Sequence, residues 1–239
     1  MKIEGSVVLV TGANRGIGRS FVHALVAAGA KKVYAAARSV DSLEELTTDG
    51  RVVAVKLDVT NEDDVRAAAA KASDVTLLVN NAGVLDFGSV LEASPQAFER
   101  NFATNFYGVL ATSRAFAPIV EKNGGGAIVN MHTLLAMASM PGFGVYNASK
   151  AAAWSLTQSM RAGLAGRGVA VHGVFPGPVD TDMLKGVPVA KASADDVAQA
   201  VVQGILRGDE DIFPDPMSAS LYQAWRKDHK AVEKQFAAM

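Results

Sequence analysis

Cysteine is absent from the 239-residue chain, which removes disulfides, thiolate metal sites and cysteine nucleophiles together. Net charge is nearly absent too: 23 Lys and Arg stand against 24 Asp and Glu, a formal -1. Such a balance gives no electrostatic pull toward nucleic acid or another polyanion. No apolar run is long enough for a membrane span. The opening "MKIEGSVVLVTGANRG" passes from a short apolar run straight into polar, glycine-rich sequence, unlike a signal peptide. His23, His132, His172 and His229 lack the spacing of a ligand set, so no metal is expected. These absences leave a cytoplasmic globular protein with no nucleic acid and no membrane partner as the expectation.

What is present is apolar sequence in regular alternation. Hydrophobic residues make up 49% of the chain and charged residues 20%, enough for one substantial core. β-Branched runs at 6–11, 32–37, 51–59, 75–83, 126–131, 169–175 and 211–214 predict strands, and the alanine-rich stretches between them predict helices. Strands that are apolar throughout, separated by helices, imply a parallel sheet covered on both faces. No linker, low-complexity tract or internal repeat interrupts the pattern. The prediction is an α/β fold over residues 1–239, one doubly wound domain of about seven parallel strands. The last stretch, "PMSASLYQAWRKDHKAVEKQFAAM", lies outside the alternation and reads as one C-terminal helix over about 217–237. It is a packing or oligomer element, or a wall of a pocket.

"TGANRGIG" (11–18) joins the first strand to the first helix, where a dinucleotide site forms in such folds. Gly12 permits a tight exit from the strand. Gly16 and Gly18 let a pyrophosphate approach the backbone, and the helix N-terminus offers unpaired N–H groups and a positive dipole end. The spacing is G-x-x-x-G-x-G. "NNAG" (80–83) follows the fourth strand, and "YNASK" (146–150) opens a long helix. With these motifs in this order, the chain resembles the short-chain dehydrogenase/reductase family from about Val7 to Thr181, and the fold expected is of the Rossmann type.

The resemblance implies a nicotinamide cofactor held by Gly12, Asn14, Arg15, Gly16, Ile17 and Gly18. In the family an acidic residue at the end of the second strand selects NAD. Here Ala37 and Arg38 stand at that point, with Arg15 in the loop. Two guanidiniums and no carboxylate suit a 2′-phosphate, so NADP(H) is expected. Asp58 and Val59 match the family's adenine contact, and Asn81 and Gly83 the segment bordering the adenosine. Pro176, Gly177, Val179 and Thr181, in "PGPVDT", match the nicotinamide loop.

Residues four apart on a helix share a face, so Tyr146 and Lys150 can aim at one point. The resemblance makes Tyr146 the general acid or base. It makes Lys150 the partner that, with the positive nicotinamide of the oxidised complex, lowers the phenol's pKa from about 10 and holds the nicotinamide ribose. Asn105 matches the asparagine that links the lysine to solvent. The family's catalytic serine, thirteen residues before the tyrosine, is Thr133 here, and His132 replaces a second serine.

The expected pocket is apolar: Phe87, His132, Leu134, Leu135, Met137, Phe143, Met183 and Leu184. An NADPH-dependent reductase of an apolar ketone or aldehyde follows. An imine reductase on the same scaffold, or a non-catalytic NADP-binding redox sensor, is the alternative. A halohydrin dehalogenase would have lost the glycine loop and Lys150. The resemblance also implies a homo-oligomer, tetramer or dimer, built through the long helices at about 96–122 and 145–166.

Overall fold

The apolar runs pair side by side as β1 (Val7–Thr11), β2 (Lys32–Ala37), β3 (Val52–Lys56), β4 (Leu77–Asn80), β5 (Gly126–Met131), β6 (Val169–Val174) and β7 (Asp211–Ile212). They form one parallel sheet in the order β3-β2-β1-β4-β5-β6-β7. The structure is a computed structural model that describes residues 1–239. At the centre, Val8 pairs with Val33 on one side and Leu77 on the other. All five residues of β1 are buried, because helices cover both faces.

Alternate residues of each strand point to opposite faces, and this divides the core in two. Val8 and Val10 pack with Phe21 and Leu25 of α1 (Gly16–Ala27) and Val201 and Ile205 of α6 (Ala194–Arg207). Leu9 packs on the other face with Val65 of α2 (Glu62–Lys71), Phe116 and Val120 of α4 (Val109–Lys122) and Leu164 of α5 (Gly144–Leu164). Each fully buried Val, Leu or Phe contributes about 1.5–3 kcal/mol. No helix is long and apolar enough to cross a membrane.

Three departures from the predicted elements matter for the site. The runs at 51–59 and 75–83 leave the sheet early, at Lys56 and Asn80, so 57–59 and 81–83 curl over its C-terminal edge. The helix expected at 96–122 is α3 (Pro95–Phe102) and α4 joined by a wider π turn, Ala103–Gly108. The single C-terminal helix is two, α7 (Pro216–Lys227) and α8 (His229–Ala237). Asp228 breaks them with φ -154 and ψ 87, and its carboxylate caps α8 by accepting the Ala231 N–H at 3.0 Å.

Strand order reverses between β1 and β4. The crevice beyond their C-terminal ends is where ligands bind in open α/β sheets.

Candidate active site

Glycine is required in the β1–α1 turn for two different reasons. Gly12 and Gly16 have φ +63 and +50, a left-handed backbone that disfavours other residues. Gly18 is needed for space, since a β-carbon there would lie 2.1 Å from the Gly12 carbonyl oxygen and 2.5 Å from Asn81 Nδ2. Asn81 fastens the turn: its Nδ2 donates to the carbonyls of Thr11 at 3.0 Å and Gly12 at 3.2 Å. Helix α1 has no side-chain cap and no acidic residue in its first turn. Its N-terminal amides and positive dipole end face the crevice without a built-in carboxylate. That arrangement fits a pyrophosphate. The Ile17 side chain packs on the core.

The residues expected at the adenosine lie on the neighbouring loops. Ala37 is buried and Arg38 is exposed, and Arg38 makes no side-chain hydrogen bond or ion pair. Arg15 is exposed and pairs with Asp182 at 3.3 Å. Asp58 Oδ1 accepts from the Thr60 N–H at 2.9 Å and its hydroxyl at 2.7 Å, which fixes the turn after β3. Val59 is buried against Gly108. The loop after β6 approaches from the other side, and a β-carbon on Gly16 would meet Thr181 Cγ2 at 3.0 Å.

Tyr146 and Lys150 are brought together on α5. Lys150 Nζ is 5.9 Å from the centre of the Tyr146 ring and donates to the Met131 carbonyl at 2.7 Å. Both side chains are buried. Burial disfavours the charged form of each group, so Lys150 is brought down to about 8 and the Tyr146 phenol is pushed above its ordinary value. In the protein alone, burial therefore keeps the phenol protonated at neutral pH; the lowering expected of Lys150 concerns the complex with the oxidised nicotinamide.

Asn105 sits in the π turn, fully buried. Its Nδ2 donates to the Val84 carbonyl and to Ser149 Oγ, both at 2.9 Å, and its Oδ1 accepts the Val84 N–H at 3.0 Å. Ser149 in turn donates to the Tyr146 carbonyl at 2.8 Å. Asn105 therefore anchors the start of α5 and the loop after β4 together. It does not touch Lys150. The two meet across Gly83, where a β-carbon would lie 3.3 Å from Asn105 Oδ1 and 3.6 Å from Lys150 Nζ. Ser149 is a site residue that the sequence reading missed, since a serine inside a helix carries no signal of its own.

Thr133 lies at the C-terminal edge of β5 and caps the short turn Leu134–Ala136, its Oγ1 accepting from the Leu135 N–H at 3.3 Å. His132 goes elsewhere, which corrects its assignment to the pocket. Its ring packs on Phe175 with centroids 5.2 Å apart, and its Nε2 is 2.9 Å from Thr157 Oγ1. Thr157 is three turns, roughly 16 Å, along α5 from Tyr146. Thr157 donates its own proton to the Ala153 carbonyl at 2.9 Å, so it accepts from His132 and Nε2 carries the ring proton. Burial first, then the charges of Lys150 and Arg161, keep this imidazole well below its usual pKa. It is a neutral packing residue.

The remaining pocket residues divide as well. The Phe87 and Phe143 rings meet at a tilt of 59° with centroids 5.1 Å apart, beside the Gly88 N–H donating to the Gly142 carbonyl at 2.8 Å. Met183 is exposed and Leu184 half-buried beyond the β6 loop. Leu134 is buried, and its N–H donates to the Pro176 carbonyl at 3.2 Å. Leu135 turns toward α7 and α8, packing with Val232 and Phe236, and Met137 is half-buried on the same turn.

A phosphate cradle at the switch point of a doubly wound sheet, beside a buried Tyr–Lys pair, defines a dinucleotide-dependent oxidoreductase. The profile of the short chain dehydrogenase family matches residues 6–191. A sorbitol dehydrogenase from Cereibacter sphaeroides is 34% identical over 193 residues, covering 78% of this chain and 75% of the relative. The crystal structure of a short chain dehydrogenase from Burkholderia cenocepacia in complex with NADP is 39% identical and superposes with a TM-score of 0.94 over 99% of both chains. A short chain dehydrogenase/reductase from Burkholderia phymatum, in complex with NAD, is 28% identical with a TM-score of 0.87 over 98% of this chain and 96% of that one. The chain belongs to the short-chain dehydrogenase/reductase family of oxidoreductases.

Proposed function

We propose that the protein is an NADPH-dependent reductase of apolar ketones or aldehydes, with Tyr146 as the proton donor. The observation that carries this reading is the buried pair on α5: a protonated phenol one helical turn from an ammonium group. A nicotinamide dinucleotide, when bound in the crevice, would supply the hydride for the carbonyl carbon. Tyr146 holds the proton that the carbonyl oxygen takes up. Lys150 stabilises the phenolate left behind, which lowers the barrier to that transfer. The Thr133 hydroxyl, when its proton turns toward the substrate oxygen, is the second donor for the developing charge. Asn105 and Ser149 hold the first turn of α5 against the loop after β4, so Tyr146 is fixed by a hydrogen-bonded frame.

The cradle at Gly12, Asn14, Arg15, Gly16, Ile17 and Gly18 would hold the pyrophosphate. Asp58, Val59, Asn81 and Gly83 would border the adenosine, and Pro176, Gly177, Val179 and Thr181 the nicotinamide. The unpaired Arg38, with no carboxylate at the end of β2, supports NADP(H) over NAD(H), as does the NADP complex of the 39%-identical structure. Phe87, Phe143, Met183 and Leu184 support an apolar substrate, and the nearby guanidinium of Arg100 is already tied to Asp86 at 3.0 Å.

Phe98, Phe102 and the exposed Tyr107 line a shallow apolar groove on the α3–α4 face, which supports a homo-oligomer built through that face. Sedimentation at micromolar concentration tests it, and a monomer would refute it. The activity is tested by NADPH oxidation with a panel of apolar ketones and aldehydes alongside sugar ketones and oxo acids. Turnover confined to the polar substrates would overturn the substrate assignment.

A further inference from the structure

The carboxylate of Asp215 is buried, with 8% of the residue exposed, and it bridges main-chain amides from two parts of the fold. Its Oδ1 accepts the Ser218 N–H at 2.8 Å. That bond is half of the capping box that starts α7, completed by the Asp215 N–H donating to Ser218 Oγ at 3.2 Å. Its Oδ2 accepts the Gly177 N–H at 2.9 Å, and Gly177 belongs to the loop after β6. A helix cap needs one side-chain oxygen. The second oxygen serves the loop.

The contact is close and supported on both sides. A β-carbon on Gly177 would lie 3.1 Å from Asp215 Oδ1 and 3.4 Å from Met217 Sδ. Beyond the cap, Leu221 and Trp225 of α7 pack with Ala138, Val232 and Phe236, next to Leu135 and Met140. The C-terminal helices thus touch both the segment that follows Thr133 and the loop that starts at Pro176. A glycine-containing loop has more backbone freedom than most. A charge-assisted bond to its amide is a strong way to hold it.

We infer that Asp215 is a positioning residue, fixing the Gly177 amide and through it the 176–181 loop at the nicotinamide end of the site. This rests on the proposed oxidoreductase reading, in which Val179 and Thr181 border the nicotinamide. The C-terminal helix pair is then part of the active centre rather than an appended packing element.

Asp215→Ser tests the inference, because serine caps a helix as well as aspartate does but has a single oxygen. Asp215→Asn, of the same size as the native residue, is the second variant, and Asp228→Ala, which removes the cap of α8 alone, is the control. Hydrogen exchange over residues 172–181 is measured on each full-length protein without ligand, followed by NADPH affinity, kcat and KM. The expected result is faster exchange in both Asp215 variants and not in Asp228→Ala. Turnover should fall by roughly tenfold or more, the scale of a small misplacement of reacting groups, with KM for the carbonyl substrate little changed. Unchanged exchange would overturn the inference. So would faster exchange with wild-type turnover and NADPH affinity, since the bond would then be structural only. A wild-type protein that neither binds nor turns over NADPH or NADH refutes the reductase reading and the inference with it. An active wild type with unaffected variants refutes the inference alone.

Discussion

Lys150 Nζ lies 5.9 Å from the centre of the Tyr146 ring, one helical turn further along α5, and burial moves the two groups in opposite directions. Lys150 comes down to about 8, while Tyr146 is held protonated. Reduction needs both protons in place. The rate of reduction, kcat/KM, is therefore expected to stay level through neutral pH and to decline as pH rises through about 8, where the ammonium is lost. His132, neutral at any physiological pH, should add no acidic limb. A rate that rises steadily toward pH 9 would contradict the assignment of Lys150 as a required cation.

The same buried lysine costs stability. Its pKa falls from 10.5 to about 8, so below about 8 the folded protein carries a charge that the unfolded chain solvates better. The shift corresponds to roughly 3 kcal/mol, partly offset by the Met131 carbonyl that would lose its donor. Lys150→Met is expected to be inactive and to unfold at an equal or higher temperature than the wild type at pH 7. Between about 8 and 10.5 the unfolded chain binds the extra proton and wild-type stability rises with pH, so the advantage should shrink. Thermal unfolding at pH 7 and pH 9 measures this. A variant less stable at pH 7 than at pH 9, relative to wild type, would reverse the sign.

The proposed preference for NADPH rests on Arg38 and Arg15. A hydrogen bond to a charged group contributes about 1.5–3 kcal/mol, and exposure keeps such pairs at or below the lower end. NADPH should be preferred over NADH by roughly tenfold to a hundredfold in kcat/KM on that basis, and Arg38→Asp should narrow or reverse the ratio. Asp182 competes for Arg15 at 3.3 Å, so Asp182→Ala should leave NADPH affinity unchanged or modestly tighter. Equal kcat/KM for the two cofactors in the wild type would remove the 2′-phosphate site.

Thr133 and His132 are adjacent in sequence and opposite in role. Thr133→Ala should lower kcat/KM by the equivalent of about 2.7–4 kcal/mol, the usual contribution of a donor aimed at a developing oxyanion. Thr133→Ser should keep most activity and accept bulkier ketones. His132→Ala should retain turnover while lowering stability by about 2–4 kcal/mol, because it opens a cavity beside Phe175 and removes one of the two donors to Thr157 Oγ1, leaving only Asn130 Nδ2. Steady-state kinetics with denaturant unfolding separates the two. An inactive but fully stable His132→Ala would show the roles reversed.

The order of strands and helices and the pairing of Tyr146 with Lys150 were legible in the chain, because apolar periodicity and i,i+4 spacing are local properties. The strand ends were not: Leu57, Val59 and Ala82 are apolar like the residues before them, yet they cover the edge of the sheet where the site opens. The break at Asp228 was hidden inside a helix-favouring stretch, since an aspartate reads equally as helix interior or cap until its backbone is known. His132 looked like a pocket residue because it adjoins the catalytic candidate Thr133 and replaces a serine of the family, and only the fold brings its ring onto Phe175 and Thr157. Asp215 and Ser149 gave no signal. Asp215 acts by accepting from the distant Gly177 amide and Ser149 by accepting from the distant Asn105 side chain, relations that no spacing in the sequence encodes.

The central claim is that Tyr146 supplies the proton. Tyr146→Phe keeps the ring, the packing and the helix while removing the transferable hydrogen. Single-turnover reduction of an apolar ketone is compared in the wild type and this variant, with NADPH affinity measured on both. Turnover is expected to fall by roughly 10²–10⁴-fold, as for loss of a general acid, while NADPH affinity stays close to wild type. A Tyr146→Phe protein that binds NADPH and reduces the ketone at near wild-type rate would contradict the mechanism.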